Sequence, residues 1–70
     1  GDNVNDAAVE AAKVVAGIGE IRIIGEANAV SIFNAAGQAV AVNSKDAQFF
    51  VASGIYVVVV DGKATKVLVK

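Results

Sequence analysis

From Gly19 onward, apolar and polar positions alternate in short runs, and each run stops at a turn signal. Glu20-Ile21-Arg22-Ile23-Ile24 alternates and ends at Gly25. Ala29 to Phe33 alternates with Val30 and Ile32 on one side, and ends in Asn34-Ala35-Ala36-Gly37. Gln38 to Val42 follows, with Val40 and Val42 predicted inward, and stops at Asn43-Ser44-Lys45-Asp46. Gln48 to Val51 runs into Ala52-Ser53-Gly54. A last pair of runs, Ile55 to Val60 and Lys63 to Lys70, flanks Asp61-Gly62. Period-two runs at about 8–12-residue spacing, with turn signals between, predict an all-β sandwich or barrel. Six or seven short strands fit a two-sheet antiparallel Greek-key sandwich. The chain has no Pro, so Gly and Asn carry the turns.

The final pair is the most sharply written element. Asp-Gly between two β-rich runs favours a type I′ turn, because both central residues must take φ > 0. A two-residue loop pairs Val60 with Lys63, Val58 with Thr65, Tyr56 with Val67 and Ile55 with Leu68. Tyr56, Val58, Val67 and Val69 then share one face with Thr65. Ile55, Val57, Val59 and Leu68 share the other with Lys66 and Lys70. A three-residue loop would set Tyr56 against Lys66 and is disfavoured. Both faces are largely apolar, whereas an antiparallel hairpin ordinarily keeps one face wet. The second face therefore calls for a cover or a partner, and self-association through this hairpin is one candidate.

The beginning of the chain is less regular. Gly1 to Asp6 is polar and turn-like and reads as a linker. Its Asp and Asn spacing faintly resembles a calcium loop, but the loop Gly and the closing Glu are missing. Asp6 to Gly17 carries two readings. Ala-rich composition, Asp6 as N-cap and Gly17 as C′ residue favour a helix. The Val14-Val15 pair suits a strand from about Ala11 to Ala16. Gly17-Ile18-Gly19 reads as a turn between strands. A dinucleotide fingerprint would need a third Gly where Arg22 stands, and a helix after it.

Composition narrows the function classes. Seventy residues make one small domain, 56% of them hydrophobic, with no Cys and no His to staple it. The net charge of −1 argues against nucleic acid, which selects a basic face. The longest wholly apolar run, Ile55 to Val60, is far short of the ~20 residues of a membrane helix. The polar Gly1-Asp2-Asn3 does not read as a signal peptide, which leaves a cytoplasmic protein or a piece of a longer precursor. Catalysis is not expected. The acids Asp2, Asp6, Glu10, Glu20, Glu26, Asp46 and Asp61 fall mostly in turns or near the start, and Ser31, Ser44 and Ser53 have no base partner. Glu20 and Glu26 could meet across a sheet, but acid–base work also needs a pocket that shifts their pKa values. Metal sites lack their usual ligands, and no cofactor is expected. Lys63, Lys66 and Lys70 supply half of the six basic residues. They read either as guards against edge-to-edge aggregation or as a recognition stripe.

Several phrases, taken together, resemble a known family. They are Val30-Ser31-Ile32-Phe33-Asn34-Ala35-Ala36-Gly37-Gln38, then Gly54-Ile55-Tyr56-Val57-Val58-Val59-Val60, then Gly62-Lys63 and Lys66-Val67-Leu68-Val69-Lys70. The set is similar to the C-terminal sorting domain (type A) of proteins exported by the type IX secretion system of Bacteroidetes. That family carries a V-x-I-[YF]-N-x-x-G strand and turn, a G-x-Y-x-V-x-V strand and a last strand ending in a basic residue. The resemblance covers roughly Gly19 to Lys70. Many members open with an Asn-Pro phrase, which this chain lacks.

The resemblance implies an immunoglobulin-like β-sandwich of about seven short strands, and so a strand near Ala11 to Ala16 in place of the helix. It implies residues 1–9 as a linker and candidate cleavage region, and 10–70 as the sorting domain. It implies a role as export address for a larger N-terminal cargo. The cargo would pass through the periplasm and the outer-membrane translocon, and then lose the domain to a sortase-like peptidase at the cell surface. By position, the implied recognition residues are Gly54, Tyr56, Val58, Val60, Gly62, Lys63, Lys66, Val67, Leu68, Val69 and Lys70. Within that set, Gly54 and Gly62 serve turns, and Tyr56 and Val58 are expected in the core. The competing expectation is a non-catalytic immunoglobulin-like adhesive module that stays on its parent.

Overall fold

A computed structural model describes residues 12–70. Its strands are β1 (Lys13–Ala16), β2 (Glu20–Ile24), β3 (Val30–Asn34), β4 (Ala39–Ser44), β5 (Gln48–Phe50), β6 (Gly54–Val60) and β7 (Lys63–Val69). They form a three-stranded sheet of order β1-β2-β5 and a four-stranded sheet of order β4-β3-β6-β7, antiparallel throughout. The chain passes between sheets after β2, after β4 and after β5, as the immunoglobulin-like Greek key requires. In that scheme the first sheet corresponds to A, B and E, and the second to C′, C, F and G.

The core lies between the sheets and is supplied unequally. Ile21 and Ile23 come from β2, Val30 and Ile32 from β3, Tyr56, Val58 and Val60 from β6, and Val69 from β7. Every one sits at an inward position of a period-two strand. Burying each Val or Ile side chain contributes about 1.5–3 kcal/mol before chain entropy is subtracted. Strand β6 is the centre of gravity, paired with β3 on one side and β7 on the other.

Residues 13–16 form a strand although local propensity favours a helix. Lys13 pairs with Ile24, Val14 with Ile23, Val15 with Arg22 and Ala16 with Ile21. That register sets Val14 and Ala16 against the core. Pairing with the adjacent β2, which suits the β-branched Val14 and Val15, outweighs the few tenths of a kcal/mol per residue by which Ala favours a helix. Residues 6–11 of that ambiguous stretch, the linker at Gly1 to Asp6, and the candidate cleavage region 1–9 lie outside the described residues. The Gly17-Ile18-Gly19 turn joins β1 to β2 as expected.

The inward placement of Val40 and Val42 is corrected. Val40 is 46% exposed and Val42 63%, while Ala41 packs against the core. The cause is irregular pairing between β3 and β4. Val30 pairs with Ser44, Ile32 with Ala41 and Phe33 with Ala39, so two steps along β3 meet three along β4, and one meets two. Each extra residue is a β-bulge, and each bulge breaks the period-two phase. Asn43 takes φ 48° at the first of them, and its N–H donates to Ser31 Oγ at 3.0 Å.

Candidate functional site

The β6–β7 hairpin has the register that its sequence predicts. Val60 faces Lys63, Val58 faces Thr65, Tyr56 faces Val67 and Ile55 faces Leu68. Asp61 at φ 49° and Gly62 at φ 87° make the two positive-φ positions of a type I′ turn. A side chain at Gly62 would strain a conformation that glycine adopts freely.

Two side chains lock this hairpin to the rest of the molecule. The Asp61 carboxylate accepts hydrogen bonds from the Asn28 and Ala29 N–H groups, each at 2.9 Å to Oδ1. Asp61 N–H in turn donates to the Ala29 carbonyl at 2.9 Å. The turn residue therefore also fastens the β2–β3 loop. At the other end, the Tyr56 hydroxyl donates to the Ala52 carbonyl at 2.7 Å. This is the tyrosine corner of immunoglobulin-like folds, in which a Tyr early in the F strand ties down the E–F connection. Gly54 is fixed by its backbone, φ 150°, rather than by space, since a Cβ there would meet the Tyr56 ring at an ordinary 3.9 Å.

The eleven residues that the family resemblance singles out divide by face. Tyr56, Val58, Val60 and Val69 are buried, and Val67 is half-buried against the core. Gly54 and Gly62 serve the backbone. Lys63, Lys66, Leu68 and Lys70 are exposed, Leu68 to 57%. The backbone of Lys70 is nevertheless held. Gly19 N–H donates to its carbonyl at 2.8 Å, and its own N–H donates to the Gly17 carbonyl at 3.3 Å. The end of β7 thus closes the seam between the two sheets.

The outer face of the hairpin stays open. Ile55 is 44% exposed, and Ile55, Val57 and Lys66 line a shallow groove of about 530 Å³ with Phe33 and the Asn34–Gly37 loop. That loop is shaped by Asn34, whose Oδ1 accepts the N–H groups of Ala36 (3.0 Å) and Gln38 (2.9 Å). The three phrases of the resemblance therefore fall on the adjacent strands β3, β6 and β7. Sequence reasoning missed Phe33 as a wall of the groove and Asp61 as a clamp. The Asn-x-x-Gly spacing signals the loop, but nothing local to Asp61 points to partners 32 and 33 residues away.

The residues considered for acid–base work are not assembled into a site. Glu20 Oε1 accepts a hydrogen bond from Gln48 Nε2 at 2.6 Å on the outer face of the three-stranded sheet. Glu26 lies past the opposite end of β2. Among the described residues no group of three His, Cys, Asp or Glu is placed to hold a metal ion. No helix among them is long and apolar enough to cross a membrane.

The fold and this face define the class: a small all-β sandwich with an apolar, lysine-edged outer sheet. No protein-family model, curated protein or solved structure matches the chain.

Proposed function

We propose that the chain is an export-address domain of the type IX sorting class, read through the exposed side of its β6–β7 hairpin. The observation that carries this reading is the convergence of the three family-like phrases. Val30–Gly37, Gly54–Val60 and Gly62–Lys70 lie on three neighbouring strands of one sheet. Their inward residues build the core, which leaves Lys63, Lys66, Leu68 and Lys70 for recognition. In this reading the partners are the outer-membrane translocon, the sortase-like peptidase and an N-terminal cargo. The route runs through the periplasm to the outer membrane and the cell surface, and no catalysis is assigned to the domain itself.

The test is a periplasmic reporter fused ahead of residue 1 in a bacterium that carries this secretion system. The intact fusion should reach the surface, and a fusion lacking Lys66–Lys70 should stay in the periplasm. Because that truncation also removes the core residue Val69, a second fusion carries Lys66→Glu and Leu68→Ser, which change only exposed positions. Surface delivery of both altered fusions would overturn the reading.

A retained adhesive module is the second reading, and the Tyr56 corner fits it equally well, since immunoglobulin-like modules of many functions share that device. Mass spectrometry of the surface-bound parent separates the two. Peptides containing Tyr56 and Lys70 persist on a module and are lost from a cleaved signal.

A further inference from the structure

The four strands that end the sheets are not equally protected. Strand β5 has three residues and β1 four, and β4 is broken by two bulges. Short and bulged edges are poor templates for another strand. Strand β7 is different: seven residues long, paired to β6 without a register shift. The hairpin turn sets its hydrogen-bonding phase. Val60 and Lys63 close a two-residue loop and exchange backbone bonds, and such pairs recur at every second position. Lys63, Thr65, Val67 and Val69 therefore turn their N–H and C=O groups toward β6. Ala64, Lys66 and Leu68 turn theirs outward. The bonds of Lys70 to Gly17 and Gly19 leave on that same outward side, which fixes the phase independently. No described residue hydrogen-bonds to Ala64, Lys66 or Leu68 along this edge; β1 lies beside β7, and the Gly17–Gly19 turn takes only its Lys70 end.

Charge selects the occupant. The stretch from Gly62 to Lys70 holds three lysines and no acid, and the hairpin's one carboxylate, Asp61, is engaged by Asn28 and Ala29. A second copy pairing antiparallel about Lys66 would set that lysine against its own image, and like charges directly opposite destabilise a ladder. A strand with a carboxylate at that position gains instead. On the outer face Ala64, Lys66 and Leu68 follow one another at every second position, beside the apolar wall of Ile55 and Val57. We propose that the free edge of β7 binds an extended segment of a partner protein by strand addition. The docked strand carries Asp or Glu opposite Lys66, and an apolar residue two positions to either side. This inference stands apart from the export reading, since a retained module could use the same edge.

The experiment uses the full chain and two synthetic probes. One is a capped seven-residue peptide of alternating threonine and valine with glutamate at its centre. The other has lysine there. Amide exchange followed by NMR should slow at Ala64, Lys66 and Leu68 on adding the glutamate peptide, with Thr65 and Val67 unchanged. The lysine peptide should bind about ten-fold more weakly. Lys66→Glu should reverse that preference, and being an exposed change it should leave the melting temperature close to the parent value. Equal binding of both peptides, no binding of either, or slowing confined to Thr65 and Val67 would overturn the proposal. So would protection without peptide that rises with protein concentration, which would mark a second copy as the occupant. Protection in dilute chain that disappears in Asp2→Asn, Asp6→Asn, Glu10→Gln would assign the edge to the chain's own acidic start, and would also overturn it.

Discussion

Asp61 and Ala29 hold each other from both sides. The Asp61 N–H donates to the Ala29 carbonyl, and the Asp61 carboxylate accepts the Ala29 N–H, both at 2.9 Å. One residue thereby sets the hairpin turn and fastens the loop that carries the chain from one sheet to the other. The two roles separate by substitution. Asp61→Asn keeps a favoured Asn-Gly turn but gives up the charge on the acceptor, and should cost about 1 kcal/mol. Asp61→Ala should cost about 2 kcal/mol, because the strained φ adds to the loss of two solvent-exposed hydrogen bonds. Urea denaturation of the two variants checks the order.

Tyr56 joins core and corner. Tyr56→Phe removes only the hydroxyl that reaches Ala52 and should destabilise by about 1 kcal/mol. Val58 is fully buried on the same strand, so Val58→Ala should cost about 2–3 kcal/mol through lost burial and a residual cavity. In a domain this small, with a total stability on the order of 5 kcal/mol, the second change should lower the thermal midpoint severely.

Leu68 and Ile55 lie on the same hairpin but face outward, across from each other. Leu68→Ser and Ile55→Ser should shift stability by less than about 1 kcal/mol. If the outer face is the part that is read, these variants should fail in the reporter assay while their melting curves stay near the parent's. Val58→Ala is the contrasting case, in which any loss of delivery follows loss of fold.

The bulges of β4 give a further check. Val42→Thr should change stability by no more than about 0.5 kcal/mol, since Val42 is mostly exposed. Ala41→Asp places a charge against the core and should unfold much of the population at ambient temperature. Circular dichroism melts of the pair decide it, and the reverse order would return Val40 and Val42 to the interior.

The strand-rich character, the hairpin register, the alternation of β2 and the inward sets of β3, β6 and β7 were legible in the order of residues alone. These follow from local rules: the period of two, the φ demands of Asp61-Gly62, and alternation of Val and Ile with polar residues. The tertiary structure decided what local rules leave degenerate. Residues 13–16 became a strand because β2 supplied partners that an isolated Ala-rich stretch does not have. Val40 and Val42 turned outward because two bulges shifted the phase of β4, and a bulge is set by the neighbouring strand. The clamp of Asp61 on Asn28 and Ala29, and the division of the hairpin residues into core and exposed sets, needed the second sheet in place. Each of these rests on pairing or packing against another strand or loop, in the Asp61 clamp 32 and 33 residues away, and its free energy exists only once those elements are in place.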